Sequence, residues 1–265
     1  MSESEHIKNV IKNNNIKIQL VSFKLGLGYD TKVKITAEII NESKSDLIIF
    51  PGDTLKSIDD AVKLTGLLKN KKSVAVIEVS QLPLGDLNKR IVHCPFLIKK
   101  GQLVNMHTFQ HFTTSDTIEK NPFLAEAFVN ELETRRQFEV NGYGCLLLQC
   151  GENNILKNIQ SDNNKVIIRI EDKTIERRFK NIIEGCDIIL NAIHKPQYGN
   201  QNKLHKRREY FSLNGRIYLS TNNCKELSQK AKSVQYAYFD GKEIENPIPF
   251  IDEKGRYMYR IFDFE

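Results

Sequence analysis

The chain has 265 residues, 40% of them apolar and 27% charged, with a formal net charge of +6. That length suits one large domain or two small ones, and the composition excludes a disordered or fibrous chain. No apolar run reaches membrane-spanning length, and the opening Met1-Ser2-Glu3-Ser4-Glu5-His6 is polar and acidic, unlike a secretory signal. A cytoplasmic location without membrane contact is expected.

The five cysteines, Cys94, Cys145, Cys150, Cys186 and Cys224, are odd in number and contain no C-x-x-C pair. This spacing argues against a disulfide framework or a structural zinc site. Neither metal nor cofactor is expected, and four of the five thiols read as buried. The basic stretch at residues 203–208 reads as the exposed start of a helix. No zinc-finger, RNA-recognition or helix-turn-helix pattern accompanies it, so nucleic acid is not an expected partner.

In chain order, residues 16–21 alternate and predict a strand. Residues 31–41 predict a helix, with Val33, Ile35, Ala37, Ile39 and Ile40 as its apolar positions. A polar turn and a buried strand follow over 45–51, then a helix over 58–68 and a strand over 73–79. Strands alternating with helices predict an α/β architecture with covered sheet faces. Residues 92–98 and 103–107 read as two strands around the turn Lys99-Lys100-Gly101-Gln102. A helix over 122–133 and a short strand over 137–140 come next. Further strand-like runs lie at 165–170, 187–194, 216–223, 242–244, 249–251 and 257–262, with a turn at 252–255. One domain spanning 1–265 is expected, with 1–15 as a polar N-terminal extension.

The most informative stretch is residues 142–154. Leu146 to Leu148 reads as a buried strand that delivers Cys150 to a Gly-containing turn, with Glu152 two residues further on. Strand ends are where a rigid sheet hands side chains to a cleft. A thiol there serves as a nucleophile when its surroundings stabilise the thiolate, and otherwise packs as a small apolar group. His194 closes an apolar run in the same sense as Cys150.

The order of these segments resembles the nitrilase superfamily of carbon–nitrogen hydrolases. The strand ending at Gln19 is similar to the family's opening strand. Ser45-Asp46-Leu47-Ile48-Ile49-Phe50-Pro51 resembles its "ADLIVFPE" strand. The segment ending in Cys150 resembles "GVLICYE", placing Cys150 at the nucleophile and Glu152 at the following acidic position. Residues 187–190 resemble "ADLILNP", and 207–223 resemble "RAxENxxYVxxxN". The resemblance implies a four-layer α-β-β-α sandwich of the nitrilase-like kind, often paired into a homodimer. It also implies a Glu base, a Lys that stabilises the oxyanion, and a Cys that attacks an amide or nitrile carbon.

The chain departs from that pattern at two of the three chemical groups. Gly52 stands where the base is expected, with Asp53 one residue displaced. Phe109 or Gln110 stands where the lysine is expected. The candidate catalytic residues are therefore Cys150, Glu152 and Asp53, with His107, Gln110 and His194 as substrate-binding candidates and His111 as a further possible base. Two functions follow. One is a hydrolase of a non-peptide carbon–nitrogen bond, acting on a small amide-like substrate through Cys150. The other is a catalytically inactive protein of the same fold that binds a ligand or partner.

Overall fold

The computed structural model describes residues 15–83, 91–113, 118–195, 201–228 and 234–265. The N-terminal extension foreseen over 1–15 lies almost wholly outside them. Two large sheets dominate. The first runs β14(Phe250–Ile251), β15(Tyr257–Phe264), β1(Ile16–Phe23), β2(Leu47–Ile49), β3(Val74–Pro83), β4(Ile91–Lys99), β5(Gln102–Asn105). The second runs β13(Lys242–Glu243), β12(Gln235–Phe239), β11(Ile217–Asn222), β10(Ile188–Ile193), β7(Tyr143–Gln149), β6(Gln137–Val140). A separate ribbon pairs β8(Leu156–Ile159) with β9(Lys165–Ile168).

Alternation along the strands explains how the sheets stack, because successive side chains leave a strand on opposite faces. On β1, Ile16, Ile18 and Leu20 join one buried cluster, while Val21 and Phe23 join another. On β7, Cys145 and Leu147 face the first of these clusters, and Leu146 and Leu148 turn away from it. On β10, Ile188 and Leu190 face inward in the same sense and Ile189 outward. The shared cluster is the layer between the two sheets.

The outer face of the first sheet is covered by α1(Tyr29–Glu42) and α2(Ile58–Leu67). Ser57 caps α2 by accepting a hydrogen bond from the Asp60 amide. The outer face of the second sheet is covered by α3(Pro122–Thr134), α4(Lys173–Gly185) and α5(Gln201–Ser212). The result is the expected α-β-β-α sandwich.

Most elements foreseen from the sequence are present; the helix α4 and the strands β8 and β12 were not foreseen. Among the described residues no helix is long and apolar enough to cross a membrane. One expectation is corrected. The basic stretch at 203–208 does begin a helix, α5, but its last two arginines are buried. Arg207 donates to Asn158 and Asn154, at 2.9 and 2.7 Å, and Arg208 stacks 3.5 Å above the Tyr236 ring. A run of cations looks solvated in sequence, but long Arg side chains also span buried polar and aromatic groups.

Candidate functional site

The same alternation that builds the inter-sheet layer aims the functional side chains. Val74 and Val76 of β3 face that layer, so Glu78 does too. Leu97 of β4 faces it, so His93 follows. Cys145 and Leu147 of β7 put Gln149 on this face, and Ile188 and Leu190 of β10 put His194 there. Polar side chains from four strands in two sheets therefore converge where the apolar filling ends.

Glu78 is the hub. Its carboxylate is buried. Oε1 lies 2.6 Å from His194 Nε2 and accepts the Asp53 amide at 2.9 Å; Oε2 accepts Gln149 Nε2 at 3.1 Å. His93 Nδ1 is 3.3 Å from Glu78 Oε1 and 3.6 Å from Asp53 Oδ1, without hydrogen-bond geometry to either. The His93 and His194 rings touch at a centroid separation of 4.2 Å.

Burial alone would raise the Glu78 carboxyl. The attraction and hydrogen bond of His194, reinforced by His93, overcome it and hold the carboxyl well below the usual carboxylate range. For His194, burial pushes the imidazole down, but the Glu78 carboxylate and the nearby Cys150 push it further up, to about 11. His194 thus stands as an imidazolium between a carboxylate and a thiol.

Cys150 follows β7 directly and opens a short 3-10 turn over Cys150–Ile155. It is half-buried, whereas Cys94, Cys145, Cys186 and Cys224 are buried. The turn is rigid for identifiable reasons. Glu152 accepts the Gln149 amide at 2.8 Å and the His111 amide at 3.0 Å. Arg136 grips the same carboxylate at 2.6 and 3.1 Å, and both side chains are fully buried. Asn153 bonds Asn191 and the Tyr218 hydroxyl at 2.9 and 2.8 Å. A Cβ on Gly151 would overlap the Thr113 backbone, so the turn packs closely against that segment.

The two sheets are also tied at this end. Gly52 donates to the Ile193 carbonyl at 3.1 Å, and Asn223 Nδ2 donates to the carbonyls of Gly52 and His194 at 2.7 and 2.8 Å. A Cβ on Gly52 would overlap His194 Cδ2 and lie 2.8 Å from Nε2. His194 occupies the space that a side chain at 52 would need. Asp53 follows with a left-handed φ of 59°, its carbonyl accepting Lys32 Nζ at 2.6 Å.

The candidates named from sequence separate into two groups. His194 and Asp53 meet at Glu78, with Cys150 near the His194 ring. His107 is exposed at a φ of 52°, and its carbonyl accepts Arg135. His111 sits beside Glu131, 3.4 Å away, and packs on Phe109 and Phe128. Gln110 donates to the Phe112 carbonyl at 3.0 Å, and its Oε1 is buried without a partner. Glu78 and His93 were missed. Their signal was present: a carboxylate inside the apolar strand Val74–Pro83, and an imidazole on the inward face of its neighbour.

Solved structures resemble this architecture over nearly its whole length. The glutamine-dependent NAD+ synthetase from Acinetobacter baumannii, solved with ADP, superposes with a TM-score of 0.57 at 15% identity. It covers 95% of this chain, which spans only 46% of that longer protein. An amidase from Nesterenkonia sp. gives 0.55 at 10% identity, with 93% of this chain and 90% of the amidase covered. The fold is that of the carbon–nitrogen hydrolases. A CN-hydrolase superfamily protein from Xanthomonas campestris, carrying an arsenic adduct in its active site, gives 0.54 at 10% identity, with 95% and 91% covered. No protein-family model and no curated protein matches the sequence. Within the carbon–nitrogen hydrolase fold, this chain carries a Glu–His–Cys arrangement that its departures at Gly52 and Gln110 did not foretell.

Proposed function

We propose that the protein hydrolyses a non-peptide carbon–nitrogen bond, of the amide type, through Cys150. The observation that carries this reading is His194, held 2.6 Å from the buried Glu78 and close enough to Cys150 for the two to interact electrostatically. A thiol, an imidazole and an orienting carboxylate are the parts that nucleophilic catalysis needs. The base comes from β10, where the resemblance led one to look for it after β2.

The chemistry runs in two halves. The Cys150 sulfur adds to the carbonyl carbon while the imidazole holds the thiol proton. The carbon–nitrogen bond then breaks, and the amine leaves with that proton, giving a thioester on Cys150. Water adds to the thioester carbon, passing a proton back to His194. The carbon–sulfur bond breaks, the acid departs and the thiol is restored. Glu78 does not exchange a proton; it orients the ring and balances its charge. Glu152, locked by Arg136, acts as a positioning residue for the Cys150 turn rather than as a proton carrier. His107 and Gln110 are assigned no step, and Asp53 borders the cluster through His93.

The fold neighbours support a thiol route. Mutants of the Nesterenkonia amidase carry covalent addition of the acetamide moiety of fluoroacetamide at the active site cysteine. The test is release of ammonia or amine from a panel of small amides by the full chain, with Cys150→Ala and His194→Ala alongside. Cys150-dependent release, with an acyl adduct on Cys150 by mass spectrometry, supports the reading. Rates indistinguishable from Cys150→Ala across the panel refute it.

The absence of a lysine at Gln110 favours a second reading, a binding protein of this fold without turnover. In that case small amides bind without release of amine, and Cys150→Ala leaves their affinity unchanged.

A further inference from the structure

We propose that Asp53, Glu78, His93 and His194 form a binding site for one divalent transition-metal ion of the zinc class. One donor atom from each residue lies within 4.8 Å of the others. In a tetrahedral site with bonds of about 2.0–2.2 Å, neighbouring donors stand roughly 3.3–3.6 Å apart. His93 Nδ1 sits 3.3 Å from Glu78 Oε1 and 3.6 Å from Asp53 Oδ1. His194 Nε2 and Glu78 Oε1 are closer, at 2.6 Å, because a hydrogen bond joins them; the ion replaces that proton.

The second observation concerns His93. Its Nδ1 is buried and makes no hydrogen bond, yet it points into a gap edged by two carboxylate oxygens. In the tautomer that leaves it unprotonated, His93 Nδ1 turns a lone pair toward two carboxylate oxygens, a set that attracts further positive charge beyond the imidazolium of His194. A metal ion supplies that charge. Two imidazoles with two carboxylates suit zinc, cobalt or manganese, whereas calcium and magnesium favour all-oxygen shells. The surroundings are those of a supported site: Gln149 holds the far oxygen of Glu78, and Lys32 and the Glu78 carboxylate fix the backbone of Asp53.

Binding the ion and pairing with Cys150 both draw on His194. The ion is therefore a competitor of the thiol chemistry proposed above, but its binding does not require that chemistry.

The test is titration of the chelator-treated full chain with Co2+, followed by visible absorption and calorimetry. One equivalent is expected to give the ligand-field bands of four-coordinate cobalt, which Zn2+ abolishes. His93→Ala and the near-isosteric Asp53→Asn should each weaken binding at least tenfold, with thermal melts showing both variants folded. Cys150→Ser should retain the bands. A featureless spectrum in the wild type means that only a proton fills the gap, and overturns the proposal. So does affinity unchanged in both variants, or a sulfur-to-cobalt charge-transfer band that vanishes in Cys150→Ser. None of these readouts depends on amide turnover.

Discussion

Gly52 and His194 share one space. The ring of His194 lies where the first side-chain atom at position 52 would be, so the two positions cannot both carry a full side chain. The glycine after Phe50-Pro51 and the imidazole that follows β10 are thus structurally coupled.

Gly52→Glu is accordingly expected to impair the site. The new side chain must displace His194, and overpacking of this kind costs about 1–3 kcal/mol. Loss of a positioned base lowers turnover by a factor on the order of a hundred to ten thousand. Adding Gln110→Lys should not restore activity, because Gln110 is held by Phe112 rather than by the Glu78 cluster. Amide hydrolysis by the single and double variants checks this; recovery in the double variant would show that His194 is dispensable.

Alkylation of the native protein should mark one cysteine. Burial pushes the Cys94, Cys186 and Cys224 thiols up to about 11, 12 and 11, so few thiolates form there below pH 9. Cys150 is more accessible than the other four cysteines, and the charged ring of His194 lies near it. Iodoacetamide at pH 6 should label Cys150 alone, and His194→Ala should slow that reaction at least tenfold. Peptide mapping after brief exposure is the measurement.

The Arg136–Glu152 pair should be costly to break from either side. Both groups are fully buried; two hydrogen bonds join them, two backbone amides donate to Glu152, and Arg136 donates to the Phe109 carbonyl and the Thr108 hydroxyl. Removing one partner of a buried pair leaves an uncompensated charge, at a cost of about 3–5 kcal/mol. Arg136→Met and Glu152→Gln should each lower the denaturation midpoint and loosen the Cys150 turn, seen as faster amide exchange across 149–153.

Glu131 should contribute to acid sensitivity. Burial would raise its carboxyl, but the neighbouring His111 ring, the hydrogen bond from Thr108 and the charge of Arg136 bring it below its ordinary 4.5. A carboxyl lowered by folding stabilises the native state above its unfolded value, and that contribution fades as pH falls through the folded value. Glu131→Gln should therefore destabilise the protein at pH 6 by about 1 kcal/mol, typical of a lost charged hydrogen bond, and progressively less below pH 4. Chemical denaturation across that range decides it.

The fold was legible because two regular signals agreed. Period-two strands such as Ile16-Lys17-Ile18 and apolar helical faces such as Val33 with Ala37 and Ile40 fix the layers. The Cys150 turn was legible from the apolar strand that ends at Gln149. The partners of Cys150 were less so, since Glu78 and His93 looked like exceptions inside buried strands rather than a pair. Their juxtaposition depends on the β3–β4 register, which places Glu78 opposite Pro95 and leaves His93 two residues further along the inward face. Register between distant strands is not a local property of sequence. Arg207 and Arg208 misled for a related reason: the acceptors of Arg207 lie some fifty positions away, and Arg208 stacks on the distant Tyr236.

The hydrogen bonds from Asn223 to Gly52 and His194 carry a consequence for biogenesis. They join groups 171 and 29 residues apart, so the site closes only after most of the chain has been synthesised and the two sheets have met. On the ribosome Cys150 emerges before His194 and Asn223. A nascent or truncated chain therefore presents Cys150 without the neighbours that the closed site gives it.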